Sequence, residues 1–98
     1  MKTLFFFISP FALNQKAVIV DEENRDYYEE RQFSITELKD NGLNLIDNYD
    51  IGKIIFKGPL KYTKRIFNDF KEEATTKYNY SNIEFELKGE KGETIWSI

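Results

Sequence analysis

The fifteen residues Ile51-Gly-Lys-Ile-Ile-Phe-Lys-Gly-Pro-Leu-Lys-Tyr-Thr-Lys-Arg65 constrain this chain more than any other stretch. Ile54, Ile55 and Phe56 put apolar side chains on both faces of an extended segment, which predicts a strand in the interior of a sheet. Gly58-Pro59 then turns the chain, and Pro59 suits the first position of a helix. A strand that runs straight into a helix is the repeating unit of α/β domains. It is also where such domains commonly hold anions, because the first helical turn leaves backbone N–H groups unpaired. Four cations, Lys57, Lys61, Lys64 and Arg65, fall in the nine residues from Lys57 to Arg65, with no acid among them.

The remaining elements follow from periodicity. Leu4 to Ile8 is a continuous apolar run, as expected of a strand buried on both faces. A short basic end followed by about ten mostly apolar residues mimics a secretory signal. A buried first strand is the favoured reading, and so short a run cannot cross a membrane. Gln15 to Val20 is a second strand, rich in β-branched residues at its end. Tyr27 to Phe33 alternates large and charged residues, which predicts an edge strand. Ser34-Ile-Thr-Glu37 matches a capping box, so a helix is expected to start at Ser34. Gly42 interrupts its apolar stripe, which predicts a short, kinked or split helix. From Pro59 to about Tyr78, Thr63, Ile66, Phe67, Phe70 and Ala74 recur at helical spacing. Ile83, Phe85 and Leu87 alternate with Glu84, Glu86 and Lys88, predicting a last strand at the sheet edge with one wet face. Residues 90–98 form a tail whose Ile95, Trp96 and Ile98 suit either a sixth strand or a contact with another subunit.

The reading is a single α/β domain over residues 1–98, ordered βββαβαβ. The two fully apolar strands belong side by side at the sheet centre, which gives a five-stranded mixed sheet in the order 3-2-1-4-5 with two helices. This arrangement resembles the ribonuclease H-like fold, including the small halves of actin-like ATPases and of tRNA-modification scaffolds. The resemblance covers residues 1–88 and rests on element order and burial. In catalytic members the first strand presents a carboxylate that helps bind two divalent cations. Here that strand is Leu4-Phe-Phe-Phe-Ile8, without an acid. The resemblance therefore implies the fold without its metal chemistry, with no catalytic residue, metal or cofactor expected. The short, acidic, Lys/Asn/Ile/Phe-rich texture is also similar to small accessory proteins of AT-rich phages. That likeness implies a viral or mobile-element protein acting in the host cytoplasm.

Composition narrows the chemistry. The chain has no cysteine and no histidine, which excludes disulfides, thiolate catalysis and every histidine-based relay. Absence of cysteine also suits a reducing compartment. The formal charge is −3, which argues against general nucleic-acid binding. That charge is unevenly spread: residues 21–30 carry six acids and one base, a local net of −5.

Two surfaces are candidates. The first is an anion site at the strand-to-helix junction, formed by Lys57, Gly58, Lys61, Tyr62, Lys64 and Arg65, with Phe11 or Tyr62 stacking on a flat group. The alternative is an efficient turn with solubilising lysines. The second is a partner surface formed by Asp21, Glu22, Glu23, Tyr27, Tyr28 and Trp96; its bland counterpart is an edge strand protected by charge. The favoured function is a non-catalytic, homo-oligomeric protein that binds a host protein stoichiometrically, as an inhibitor or anti-defence factor. The alternatives are a phosphate- or nucleotide-binding protein using the Gly58 junction and a small structural subunit of an assembly. No membrane association is expected. Asn79-Tyr-Ser81 matches a glycosylation acceptor and is read as chance.

Overall fold

The structure, a computed structural model, describes residues 1–21, 23–24, 26–77, 82–89 and 94–97, with residues 77 and 94–97 described by backbone alone. Strands β1 (Lys2–Phe7), β2 (Asn14–Asp21) and β3 (Tyr28–Ser34) form an antiparallel meander. Helix α1 (Leu38–Asn48) leads to β4 (Ile51–Lys57), and helix α2 (Leu60–Lys77) leads to β5 (Glu84–Lys88) and β6 (Thr94–Ser97). The sheet order is β3-β2-β1-β4-β5-β6, with β1, β4 and β5 parallel. The expected 3-2-1-4-5 arrangement is thus present, and the tail supplies the sixth strand, antiparallel to β5.

That addition corrects the reading of β5 as an edge. β5 lies between β4 and β6, and its Glu86 is buried rather than wet. The carboxylate is held by Lys53 at 3.2 Å and Lys88 at 3.3 Å. Burial pushes its pKa up, but hydrogen bonds from Lys53 and Lys88 outweigh that and keep it below the usual range. The alternation of Glu84, Glu86 and Lys88 marks one sheet face correctly; it cannot report a neighbouring strand.

Both crossovers, β3 to β4 and β4 to β5, run toward the β6 edge. The right-handed rule therefore puts both helices on the same face. Leu4, Phe6, Ile19, Ile54, Phe56, Phe85 and Leu87 meet Leu38, Leu43 and Ile46 of α1 and Phe67, Phe70 and Ala74 of α2 in one core. Phe56 is its centre, with ring centroids 4.6 Å from Phe6, 5.4 Å from Phe70 and 5.6 Å edge-on from Phe67.

Helix α1 departs from expectation at two points. It begins at Leu38, because Ser34 stays in the ladder opposite Asn14 as the last rung of β3. The intended capping pair instead closes on itself, Ser34 Oγ donating to Glu37 Oε1 at 2.6 Å. Gly42 does not split the helix, since α1 runs through it. A Cβ there would lie 2.6 Å from Phe70 Cε2 and 2.8 Å from Phe6 Cζ. Gly42 is therefore a packing glycine that lets α1 lie against the phenylalanine cluster. Tyr78 and the Asn79–Ser81 acceptor lie outside the described residues.

Candidate functional site

Strands β1 and β4 are parallel neighbours whose connections leave in opposite directions. β1 turns toward β2, while β4 passes through α2 toward β5. Such a switch point opens a crevice at the carboxyl ends of the strands, where open α/β sheets place ligands. Here the crevice is about 310 Å³ and is lined by Phe7, Ile8, Ser9, Lys57 and Gly58.

Local chemistry shapes it. Ile8 N–H donates to the Lys57 carbonyl at 2.8 Å, the last rung before the strands part. Pro59 has no N–H to continue the ladder. Helix α2 begins at once, and Thr63 N–H donates to the Pro59 carbonyl at 2.8 Å. The N–H groups of Leu60, Lys61 and Tyr62 thus precede the helical ladder. No acid occupies this first turn. Gly58 is required by close approach: a Cβ there would lie 2.5 Å from the Ile8 carbonyl oxygen and 2.5 Å from Thr63 Oγ1. Thr63 is 0% exposed, and its hydroxyl has no hydrogen-bond partner among the described residues.

The expected anion residues do not all converge. Lys57 and Gly58 line the crevice, and Lys61 is exposed in the adjoining first turn of α2. Lys64 is exposed further along the helix, while Arg65 lines a different cleft between α1 and α2. Tyr62 is half-buried and packs against the core, so its ring is not free to stack. Phe11 is 97% exposed and lies outside the crevice lining; Phe7 is the aromatic that lines it. Alternation explains the dispersal. Lys57 follows core-facing Phe56 and so projects from the sheet face opposite the helices. Lys64 and Arg65 belong to a helix on the other face. Phe7, which lines the crevice, reads in sequence as an ordinary strand residue, and Thr63, buried beneath Gly58, as part of the apolar stripe of α2.

The partner-surface residues also separate. Asp21 Oδ1 accepts from Glu23 N–H at 2.9 Å, which lowers its pKa and makes it a turn residue. Glu23 is exposed, Glu22 lies outside the described residues, and of Trp96 only the backbone, paired with Leu87, is described. Tyr28 is exposed, with its hydroxyl donating to Glu30 at 2.8 Å. Tyr27 is corrected: it packs on the core on the opposite face, and Lys2 Nζ sits 4.9 Å from its ring centre.

Tyr27 also donates a short hydrogen bond to Glu29. Arg31 binds the same carboxylate and the Tyr49 hydroxyl, each at 3.1 Å. The bond to Glu29 pushes the Tyr27 phenol up to about 12, while that bond, with help from Tyr49 and Arg31, pulls Glu29 down. Stability from Glu29 is present above the ordinary carboxylate value and is lost as pH falls through its lowered folded value. Stability from Tyr27 is present below 10.0 and is lost as pH rises through about 12. Tyrosinate absorbance is expected to show a late-ionising phenol that disappears in Tyr27→Phe. Ionisation of every tyrosine at the ordinary value would contradict this network.

Among the described residues, no group of three or more His, Cys, Asp or Glu is placed to hold a metal ion. No described helix is long and apolar enough to cross a membrane. Comparison with protein-family models, curated proteins and solved structures found no match.

Proposed function

We propose that this chain is a non-catalytic binding protein that holds a phosphate-bearing small ligand in the crevice between β1 and β4. The observation that carries the reading is the acid-free first turn of α2, whose Leu60, Lys61 and Tyr62 N–H groups precede the helical ladder directly after crevice-lining Gly58, with the Thr63 hydroxyl buried beneath it without a partner among the described residues. Lys57 borders the crevice from the sheet face opposite the helices. The helix dipole favours an anion there, while Lys61 near the same terminus opposes it by about 0.3–1 kcal/mol. A phosphate over the first turn relieves that repulsion and gains the N–H groups that precede the ladder. The crevice's Phe7 offers the apolar wall that a nucleoside or other flat group needs.

The element order supports a ribonuclease H-like topology for the scaffold, with the acid-free first strand suiting binding rather than metal-dependent cleavage. A phage or mobile-element origin and a cytoplasmic setting fit the same composition. Stoichiometric capture of a host protein is the second reading. It is favoured by the nearly full exposure of Phe11 and Leu13 on one loop.

The test is thermal unfolding with inorganic phosphate, AMP and ATP at matched ionic strength. At a hundredfold excess over Kd, ligand adds about 2.7 kcal/mol. For a domain of this size that raises Tm by roughly 10–20 °C. Lys57→Glu combined with Lys61→Glu is expected to abolish the shift. Equal stabilisation of the variant, or none in either protein, would remove the assignment.

A further inference from the structure

Both helices pack on one face of the sheet, and no described helix covers the other. On that open face the strand register lines side chains up in rows that cross the strands. The row at the carboxyl ends of β1 and β4 runs Gln32, Lys16, Phe7, Lys57, Lys88. The row behind it runs Glu30, Val18, Phe5, Ile55, Glu86. The first row thus holds three amines and no acid, and Lys16 to Lys88 crosses three strand spacings, about 14 Å. Phe7, between Lys16 and Lys57, is 37% exposed, and its ring stacks on Phe5 at 5.9 Å with 13° between the planes. Val18 and Ile55 on either side of Phe5 are buried, which seats that ring and holds Phe7 in place.

The acids of the second row do not cancel the amines of the first. Glu86 is shared by Lys53 and Lys88. Glu30 faces Lys16 at 3.6 Å, but both side chains are exposed, and such a pair contributes little. Lys57 joins no ion pair with a described residue and borders the crevice. Lys16 Nζ also stands 5.9 Å from the Phe7 ring centre, at the outer limit of a cation–π contact, on a stem that can swing aside. The acidic β2–β3 turn, with Asp21, Glu23 and Asp26, lies at the far end of the sheet, where Asp21 pairs with Lys2.

We infer that this face binds single-stranded nucleic acid, with one base stacked on Phe7 and successive phosphates on Lys16, Lys57 and Lys88. Amines spread over about 14 Å exceed the reach of one phosphate and match a chain that repeats them. An exposed aromatic ring among cations is the platform on which unpaired bases stack. A duplex keeps the flat faces of its bases hidden, and an acidic peptide would leave Phe7 without a planar partner. The inference goes beyond the phosphate site over α2 and does not depend on it.

Fluorescence anisotropy with labelled decathymidylate tests it. The salt slope is expected to be about −2, from three phosphates at about 0.7 each, so binding weakens roughly sixteenfold between about 50 and 200 mM salt. Phe7→Leu, folded by circular dichroism, should weaken binding at least about fivefold and leave the slope unchanged. Lys16→Gln, on the sheet face away from α2, should reduce the slope by about 0.7. Absence of binding at low salt, equal affinity for the duplex of the same length, or tighter binding of polyglutamate would overturn the inference. So would binding that both variants leave intact and that inorganic phosphate displaces, which would put the oligonucleotide on the first turn of α2 instead.

Discussion

Phe56→Ala is expected to cost about 3–5 kcal/mol, measured as the change in unfolding free energy in urea. The ring is 0% exposed and touches Phe6, Phe67 and Phe70, so it joins β1, β4 and α2 in one contact set. Those partners are themselves large planar groups held on β1 and α2, which limits how far they can close around the void. A domain of this size has on the order of 5–15 kcal/mol in total. The variant should therefore sit near its unfolding midpoint under conditions where the parent is fully folded. A loss below about 1.5 kcal/mol would mean that the cluster repacks, as volume-conserving substitutions do.

Gly58→Ala is the second large effect, and its sign needs an argument. Replacing glycine by alanine generally gains about 0.4–1 kcal/mol by restricting the unfolded chain, provided the native site accepts the methyl. Here the methyl meets the Ile8 carbonyl oxygen at 2.5 Å, a backbone atom tied into the β1–β4 junction, and Thr63 Oγ1 at the same distance. Overpacking of this kind costs about 1–3 kcal/mol, so destabilisation wins. Gly52 supplies the contrast. A Cβ there meets the Met1 side chain, 2.6 Å from its sulfur, and Met1 is 71% exposed and free to swing away. Gly52→Ala should change stability by less than about 0.5 kcal/mol. If both variants behaved alike in urea, Gly58 would not be the cradle described for it.

Much of the fold was legible because two patterns each had one solution. Leu4–Ile8 and Ile54–Phe56 are apolar on both faces, and only the sheet interior accepts that, which forces β1 beside β4. The amphipathic stripe of α2 and the Gly58-Pro59 turn then fix the second crossover. The failures share a physical cause. Ser34, Gly42 and β5 were read from local rules, and each was overridden by a partner distant in sequence: Asn14, Phe70 and β6. The site was legible as a place, the end of β4, but not as a residue set. A run of four cations says nothing about which sheet face each one occupies. Strand and helix alternation sends Lys57 and Arg65 to opposite sides, while buried Thr63 and half-exposed Phe7 look unremarkable in sequence.

The central claim is that phosphate binds over the first turn of α2, and amide NMR reads it most directly. On titration with inorganic phosphate, the shifts should concentrate on the N–H groups of Leu60, Lys61 and Tyr62, which precede the helical ladder. Gly58→Ala should weaken the apparent affinity at least tenfold while leaving the remaining spectrum folded. Shifts scattered over exposed lysines, or a crevice silent at millimolar phosphate, would contradict the account.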